Sequence, residues 1–197
     1  MAEIKSTMEM VLARAARMAA SAGESDFSAE EKGKEGMRLA AAYMRDEVQS
    51  LGGRLAAVAP ADLAPVRKGA VESLLRNIFL SREAEKQGSA EKAMQGLVEI
   101  GQGNGQLLQV FAEMKKLLAG YLQHREQLRQ QLEAQFAQQM ELMEKSLAKQ
   151  TGVAMKLQPA QHPKFQEEWG RIQAQLDEQY GRALQELKAL VAEHLCR

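Results

Sequence analysis

The sequence predicts an all-α fold, because its composition and its hydrophobic periodicity both indicate long helices. Ala, Leu, Glu, Lys and Arg account for 103 of the 197 residues, a proportion typical of long helices and coiled coils. The β-branched apolar residues that favour strands are scarce, with nine Val and four Ile. Leu, Ile, Val and Phe supply only 42 residues, so we expect a thin core, completed by Ala and Met, in an elongated molecule.

Residues 1–104 are expected to form an N-terminal helical bundle. Its first helix should be amphipathic and should end near Ser21. Ser28 and Glu31 have the spacing of a capping box, in which each side chain accepts a hydrogen bond from a free backbone N–H group at the start of a helix. The helix that begins there is predicted to run to about Leu51 and to end at the following glycine pair.

Two glycines, Gly33 and Gly36, fall inside that second helix. Each costs about 1 kcal/mol relative to Ala, so we expect the first turns of the helix to be weak. The segment that starts at Pro60 carries the most apolar stripe of this half and should form the centre of its core. Ser89 would then cap a shorter helix that ends at Ile100.

An apolar stripe dominates the second half of the sequence. It runs from Leu107 to Leu147 with a mean spacing of about 3.6 residues, and only Arg125 interrupts it. A strict coiled coil would show a spacing of 3.5, whereas the observed one suits a nearly straight helix. We predict this helix over residues 105–150, with a length of roughly 70 Å at 1.5 Å per residue.

A second stripe, from Phe165 to Val191, has a similar spacing and predicts a final helix that begins at Pro163. Two stripes of one period joined by a short connection favour antiparallel packing. Residues 105–197 are therefore predicted to form a second domain, a long antiparallel α-helical hairpin. In its seam, Leu132, Phe136 and Met140 should meet Ile172, Leu176 and Tyr180 or their neighbours.

The connection between the two long helices, residues 151–163, is predicted to be an extended tip. Val153, Met155 and Leu157 follow the period of two that is typical of a strand, so their side chains would point to one side. These three residues are our candidate partner-binding residues, because an extended segment with unpaired backbone groups can pair with a strand of another protein. The alternative is that they fold back onto the ends of the helices.

No catalytic site, cofactor site or metal site is predicted. The three histidines are far apart in sequence: His124, His162 and His194. Of these, His162 is expected to cap the final helix, and zinc would require several convergent ligands. The glycine-rich sequence GQGNG at 101–105 lacks the preceding strand of a phosphate-binding loop, so it should only break a helix. Neighbouring carboxylates such as Asp177 and Glu178 are assigned to solvated helix faces.

The charge balance argues against several partners. The chain carries 26 basic and 26 acidic residues, and no stretch supplies the basic face that nucleic acid requires. No run of 18 apolar residues is present, so no membrane span is expected. The single cysteine, Cys196, cannot form an internal disulfide, and the cytoplasm is the expected location.

Glutamine is unusually frequent in the second half. Residues 102–185 contain 18 glutamines, and seven of these lie within residues 123–139. A solvated helix face explains such a composition, because Gln is a good helix former without charge. The alternative is an uncharged polar seam along which hairpins associate side by side, since uncharged faces do not repel.

Several strings in the sequence resemble a family of short, all-helical bacterial proteins of unknown function. They are the opening "MAEIKS", the central "VRKGAVESLLRNIFLSRE", and the closing "HREQLRQQLEAQF", "TGVAMKLQP", "HPKF" and "LDEQY". The similarity covers most of the chain. It implies an all-helical cytosolic protein and carries over no activity and no functional residue.

Two classes of function are compatible with these observations. The first is a non-enzymatic structural or adaptor protein, which presents the helical hairpin to a protein partner or to further copies in a homo-oligomer. The alternative is a chaperone-like or regulatory binder that holds apolar protein segments. No small-molecule substrate is expected in either case.

Overall fold

A computed structural model describes residues 27–83, 87–151 and 162–196, with the backbone alone for Gln87 and for residues 142–151. Within these ranges the chain forms six helices and no strand, which confirms the all-α prediction. The helices are α1 (described from 27 to 44), α2 (Leu51–Ala56), α3 (Pro60–Arg76), α4 (Gln87–Ile100), α5 (Gly105–Thr151) and α6 (Pro163–Leu195). The predicted helix before residue 21 lies outside the described residues.

The described chain divides into two compact units. The first unit contains residues 27–77, 92–104 and 192–196, and the second contains residues 78–83, 87–91, 105–151 and 162–191. The sequence suggested one boundary between residues 104 and 105. In the structure, the segment after α3 groups with the long helices instead, and the last residues of α6 group with the first unit.

The end of α1 differs from the prediction. The helix stops at residue 44 rather than near Leu51. Asp46 takes a φ of 64°, a left-handed conformation that interrupts a right-handed helix. Ser50 then starts α2, and its Oγ accepts a hydrogen bond from the backbone N–H of Gly53 at 3.1 Å. The glycine pair expected to end the second helix therefore lies inside the short helix α2.

The start of α1 also lies earlier than the capping-box spacing indicated. Residue 27 is already helical, so Ser28 lies within the helix rather than at its cap. Glu31 instead forms an ion pair on the helix surface with Lys34 at 2.9 Å. The capping-box prediction is wrong, because Ser28 follows a residue that is already helical and Glu31 pairs with Lys34 instead.

α1 and α3 cross with their backbones in contact. A Cβ atom added to Gly36 would lie 1.9 Å from the carbonyl oxygen of Val66. A Cβ atom added to Gly69 would lie 1.9 Å from the carbonyl oxygen of Gly33. Only glycine leaves enough space for such an approach. The glycines expected to weaken the helix are thus what allows the two helices to pack.

The core of the first unit is built around α3, as predicted. Six residues of this helix are buried: Val66, Gly69, Ala70, Val71, Leu74 and Leu75. α4 adds Ala93, Met94, Leu97 and Ile100. It ends at Ile100, where Gln102 and Gly103 take positive φ values of 52° and 72°. The prediction that GQGNG breaks a helix is confirmed.

The stripe of α5 is buried along the part whose side chains the structure describes. From Leu107 to Met140 every stripe residue is buried except Arg125 and Leu128, which are half-buried. In α6, the buried stripe residues are Phe165, Leu176, Leu184 and Val191. The observed bounds of both helices match the prediction within one residue.

Ring contacts show that α5 and α6 run antiparallel. Phe136 packs edge-on against Phe165 with ring centroids 5.4 Å apart, and Tyr121 packs edge-on against Tyr180 at 5.5 Å. Leu132 joins the first of these pairs in a buried cluster, against which Trp169 and Ile172 pack. The hairpin itself remains a prediction, because its connection at residues 152–161 lies outside the described residues.

The register of the two helices differs from the predicted one. Ile172 packs on the cluster of Leu132 and Phe136, as predicted, but Tyr180, which was expected at the same part of α5, contacts Tyr121, three turns before Leu132. The prediction assumed that the helices start level with each other on either side of the tip. Instead Phe165, two residues into α6, meets Phe136, which lies fifteen residues before the end of α5.

The glycine crossing generates a prediction for stability. Gly36→Ala places a methyl group inside the contact distance of the α3 backbone, so the helices must separate. We expect a loss of about 1–3 kcal/mol or more in the free energy of unfolding, measured by urea titration. Gly170→Ala is the matched control, because nothing lies within 4 Å of its added Cβ, and it should stabilise α6 by up to about 1 kcal/mol. An unchanged or higher stability of Gly36→Ala would contradict the crossing.

Candidate functional site

Asp177 lies at the centre of a polar contact in the second unit. The hydroxyl of Tyr121, a residue only 1% exposed, donates a hydrogen bond to Asp177 Oδ1 at 2.6 Å. Arg82, in the segment after α3, donates from Nη2 to Oδ2 at 3.2 Å. The assignment of Asp177 to a solvated helix face is therefore wrong. Its carboxylate is half-buried and satisfies a phenol that would otherwise be an unpaired buried donor.

The contact keeps the Tyr121 hydroxyl protonated. Burial, followed by the hydrogen bond to Asp177 and the charge of that carboxylate, raises the pKa of Tyr121. A neutral phenol that donates to a carboxylate forms a strong, charge-assisted hydrogen bond. Each carboxylate oxygen of Asp177 accepts one hydrogen bond, one from Tyr121 of α5 and one from Arg82. Asp177 therefore links α6 to α5 and to the segment that contains Arg82.

Arg125 interrupts the apolar stripe because it faces polar and aromatic groups of α6. Its guanidinium carbon lies 5.7 Å from the centre of the Trp169 ring, a cation–π contact. With the Gln173 amide oriented to satisfy both groups, its oxygen accepts bonds from Arg125 Nε and Nη2 at 3.2 and 3.1 Å. The sequence showed that Arg125 interrupts the apolar stripe, but it did not indicate which residues of α6 Arg125 contacts.

Two of the three histidines are involved in contacts of the second unit. His162 Nδ1 accepts a hydrogen bond from the backbone N–H of Lys164 at 3.2 Å, which confirms its predicted role at the start of α6. The His124 ring packs edge-on against Tyr180 at 6.1 Å. Among the described residues, no group of three or more His, Cys, Asp and Glu side chains could hold a metal ion.

In the first unit, the carboxylate of Glu99 caps α2. Its Oε2 accepts hydrogen bonds from Ser50 Oγ at 3.1 Å and from the backbone N–H groups of Leu51 and Gly52 at 2.8 and 3.2 Å. Its Oε1 accepts a longer bond, 3.4 Å, from the Tyr43 hydroxyl. Glu99 thus joins α4 to α1 and α2. Sequence reasoning missed this role, since the residues that Glu99 binds lie about fifty positions away.

The glutamines of α5 form a solvent-exposed surface, which we call the glutamine face. All seven are exposed: Gln123, Gln127, Gln130, Gln131, Gln135, Gln138 and Gln139. At 100° per residue, four of them (positions 123, 127, 130 and 138) lie within an arc of about 80°. Arg129 and Glu133, which form an ion pair at 3.0 Å, lie outside that arc. At the edge of the arc, Gln130 Nε2 donates a hydrogen bond to Glu126 Oε1 at 2.9 Å, so a charged residue borders the glutamines there.

The candidate partner-binding residues that the sequence predicted lie outside the part of the chain that the structure describes. Val153, Met155 and Leu157 belong to residues 152–161, outside the described residues, so their assignment stays a prediction. In the described part of the second unit, the large apolar side chains exposed to solvent are Phe79, Leu108 and Leu190. None of the helices described is long and apolar enough to cross a membrane.

The raised pKa of Tyr121 predicts a loss of stability in alkali. The folded state favours the neutral phenol, so its contribution is complete below the ordinary tyrosine pKa of 10.0 and disappears as the pH rises through the higher folded value. In urea titrations between pH 7 and 11, Tyr121→Phe should lose stability less steeply above pH 10 than the wild type does. Tyr43, whose pKa burial also raises, remains in both proteins. Parallel curves for the two proteins would contradict the buried hydrogen bond.

Comparison with known proteins identifies the chain at the level of a family. Neither the curated proteins nor the solved structures contain a match to it. A family model does match residues 52–193, which include α3, α4, α5 and most of α6. The resemblance to a family of unknown function is thereby confirmed, although the opening "MAEIKS" lies outside the matched region. The chain belongs to a family of unknown function (DUF6657).

Proposed function

We propose that the protein is a non-enzymatic structural or adaptor protein of the cytoplasm, and that copies of it associate side by side through the glutamine face of α5. The observation that carries this proposal is the exposure of all seven glutamines between positions 123 and 139. Over these residues the face extends for roughly 24 Å along the helix. It offers a long, regular surface for a protein partner.

The chemistry of glutamine suits contact between identical surfaces. Each side-chain amide has an oxygen that accepts hydrogen bonds and a nitrogen that donates them, so a second glutamine face supplies matching groups. Neither face carries a net charge, and their approach therefore meets no like-charge repulsion of the kind that separates charged surfaces. A second copy of the chain is accordingly the partner that this surface fits best.

A fixed helix pair supports an interaction role as well. The bonds of Asp177 to Tyr121 and Arg82, and those of Arg125 to Gln173, hold α5 and α6 in one register. A surface that is already rigid loses less conformational entropy on binding.

The most prominent carboxylates favour a structural role over a catalytic one. General acid–base catalysis needs a group that can exchange a proton with a bound substrate. Glu99 instead accepts four hydrogen bonds within the protein, and Asp177 accepts two. Both groups connect helices.

A chaperone-like binder of apolar segments is the second candidate function. It is favoured by a groove of about 400 Å³ in the first unit, between α1 and α3. Part of its lining is apolar or lacks a side chain: Ala29, Gly33, Met37, Pro65 and Gly69. Such a groove would accept short apolar side chains of many different sequences.

Charge placed on the glutamine face tests the proposal. Gln127→Lys with Gln138→Lys introduces two positive charges that would repel across a contact between two copies. We expect the wild type to show a mass above the 21.8 kDa of one chain in light scattering, and this variant to show a lower mass. The matched control is Gln175→Lys with Gln179→Lys, which adds the same charges at exposed positions of α6 and should leave the mass unchanged.

The outcomes separate the two candidate functions. A wild type that remains a single chain at high concentration would rule out self-association through this face, as would equal masses for the face variant and its control. Capture from native lysate adds a second readout. A broad set of unrelated clients, retained by the face variant, would instead favour the chaperone-like alternative.

A further inference from the structure

The groove between α1 and α3 in the first unit, about 400 Å³ in volume, is not filled by the side chains of its own walls. Three of its lining residues carry no side chain or only a methyl group: Ala29, Gly33 and Gly69. Met37 and Pro65, both half-buried, add larger apolar groups. The remaining lining residues are charged, and they are Glu30, Lys34, Lys68 and Glu72. Because protein interiors are close-packed, the groove fits an occupant that brings larger apolar side chains of its own.

An exposed aromatic ring lies at the edge of the same face of α1. Phe27, the first described residue of this helix, is 67% exposed. At 100° per residue it lies within about 20° of Lys34 around the helix axis, and Lys34 lines the groove. An occupant that extends from the groove towards the start of α1 would therefore also remove the Phe27 ring from water.

The chain that precedes α1 has the pattern of such an occupant. Residues 1–26 lie outside the described residues, and their sequence carries an apolar stripe at helical spacing: Ile4, Met8, Val11, Leu12, Ala15, Met18 and Ala19. At 100° per residue these positions fall within an arc of about 120°, and the charged residues Lys5, Glu9, Arg14 and Arg17 lie outside it. An amphipathic helix of this kind can lay its apolar face into a groove between two other helices.

The connection between this stripe and α1 is short. The helix predicted from the stripe ends near Ser21, so residues 22–26 separate it from Phe27. Connections of about two to eight residues join helices that pack as antiparallel neighbours. A tether of this length also holds the segment beside α1 at an effective concentration in the millimolar range, which favours it over a similar segment of another protein.

We propose that the N-terminal segment, residues 4–19, docks in this groove as a helix antiparallel to α1, with its apolar stripe against Gly33 and Gly69. The docked segment covers the groove and Phe27, so an apolar segment of another protein reaches the groove only after the N-terminal segment has left it. The segment is thus an internal competitor for the groove on which the chaperone-like alternative depends. The docking is independent of self-association through the glutamine face.

Cross-linking in the full chain locates the segment. Arg14→Cys, beside the stripe, is combined with Lys68→Cys, at an exposed position that lines the groove, in a Cys196→Ser background. A short bismaleimide should link these two thiols within one chain. The matched control combines Arg14→Cys with Glu35→Cys, at an exposed position on the opposite side of α1. Its linking should be at least about tenfold slower, because α1 itself, about 10 Å across, lies between the thiols.

A charge on the stripe tests whether the apolar face holds the segment. Val11→Asp should slow the link to position 68 at least tenfold, because docking would bury an unpaired carboxylate. Ala13→Asp adds the same charge about 160° away around the segment's helix and should link like the parent. A fluorescent peptide of residues 1–21 should also bind the full-length Val11→Asp chain at least tenfold more tightly than the Ala13→Asp chain, whose own segment fills the groove. Thermal unfolding confirms that both variants fold.

Several results would overturn the proposal. Equal linking rates at positions 68 and 35 would show that the segment does not lie in the groove, and an unchanged rate for Val11→Asp would show that its apolar stripe does not hold it there. Links that form only between chains would mean that the segment docks on a second copy. A peptide that does not distinguish the Val11→Asp chain from the Ala13→Asp chain would contradict the competition for the groove.

Discussion

The register between α5 and α6 is the constraint on which the second unit depends, and the polar contacts of the seam select it. A stripe with a period of 3.6 residues looks nearly the same after a shift of one turn, so apolar burial alone allows several registers. The bond between Tyr121 and Asp177 removes that freedom. Any shift would leave the buried Tyr121 hydroxyl without a partner, at a cost of about 1–3 kcal/mol, and would move Arg125 away from Trp169 and Gln173.

The first unit has few large apolar residues with which to build its core. Its helices compensate by close approach, because the glycines of α1 and α3 bring the two backbones into contact and dispersion contacts increase as helices come nearer. Glu99 completes the unit by satisfying the free N–H groups at the start of α2, a helix too short to be stable alone. The helix crossing and the Glu99 cap each depend on single residues, so a single substitution at either should lower the free energy of unfolding.

The features that were predicted from the sequence are those that local patterns determine. The bounds of α5 and α6 followed from three such patterns: the spacing of the apolar stripes, the proline at the start of α6 and the glycine-rich break after α4. Each of these determines the backbone conformation of residues only a few positions away. The early end of α1, the packing role of Gly36, the position of Asp177 and the helix register depend on residues far away in sequence. A pattern within one helix contains no information about which residue of another helix it will meet, so these features required the structure.

Distances between spin labels test the register most directly. In a Cys196→Ser background, labels on cysteines that replace exposed Gln138 and Lys164 should lie at the same level along the two helices, because these positions flank the contact of Phe136 with Phe165. A label pair at Gln138 and Gln175 should be clearly further apart, since eleven residues of α6 add roughly 16 Å along the helix. Labelled protein diluted with unlabelled chain keeps the measurement within one molecule. A shorter distance for the pair at Gln138 and Gln175 would contradict the register and the role of Tyr121 and Asp177 in selecting it.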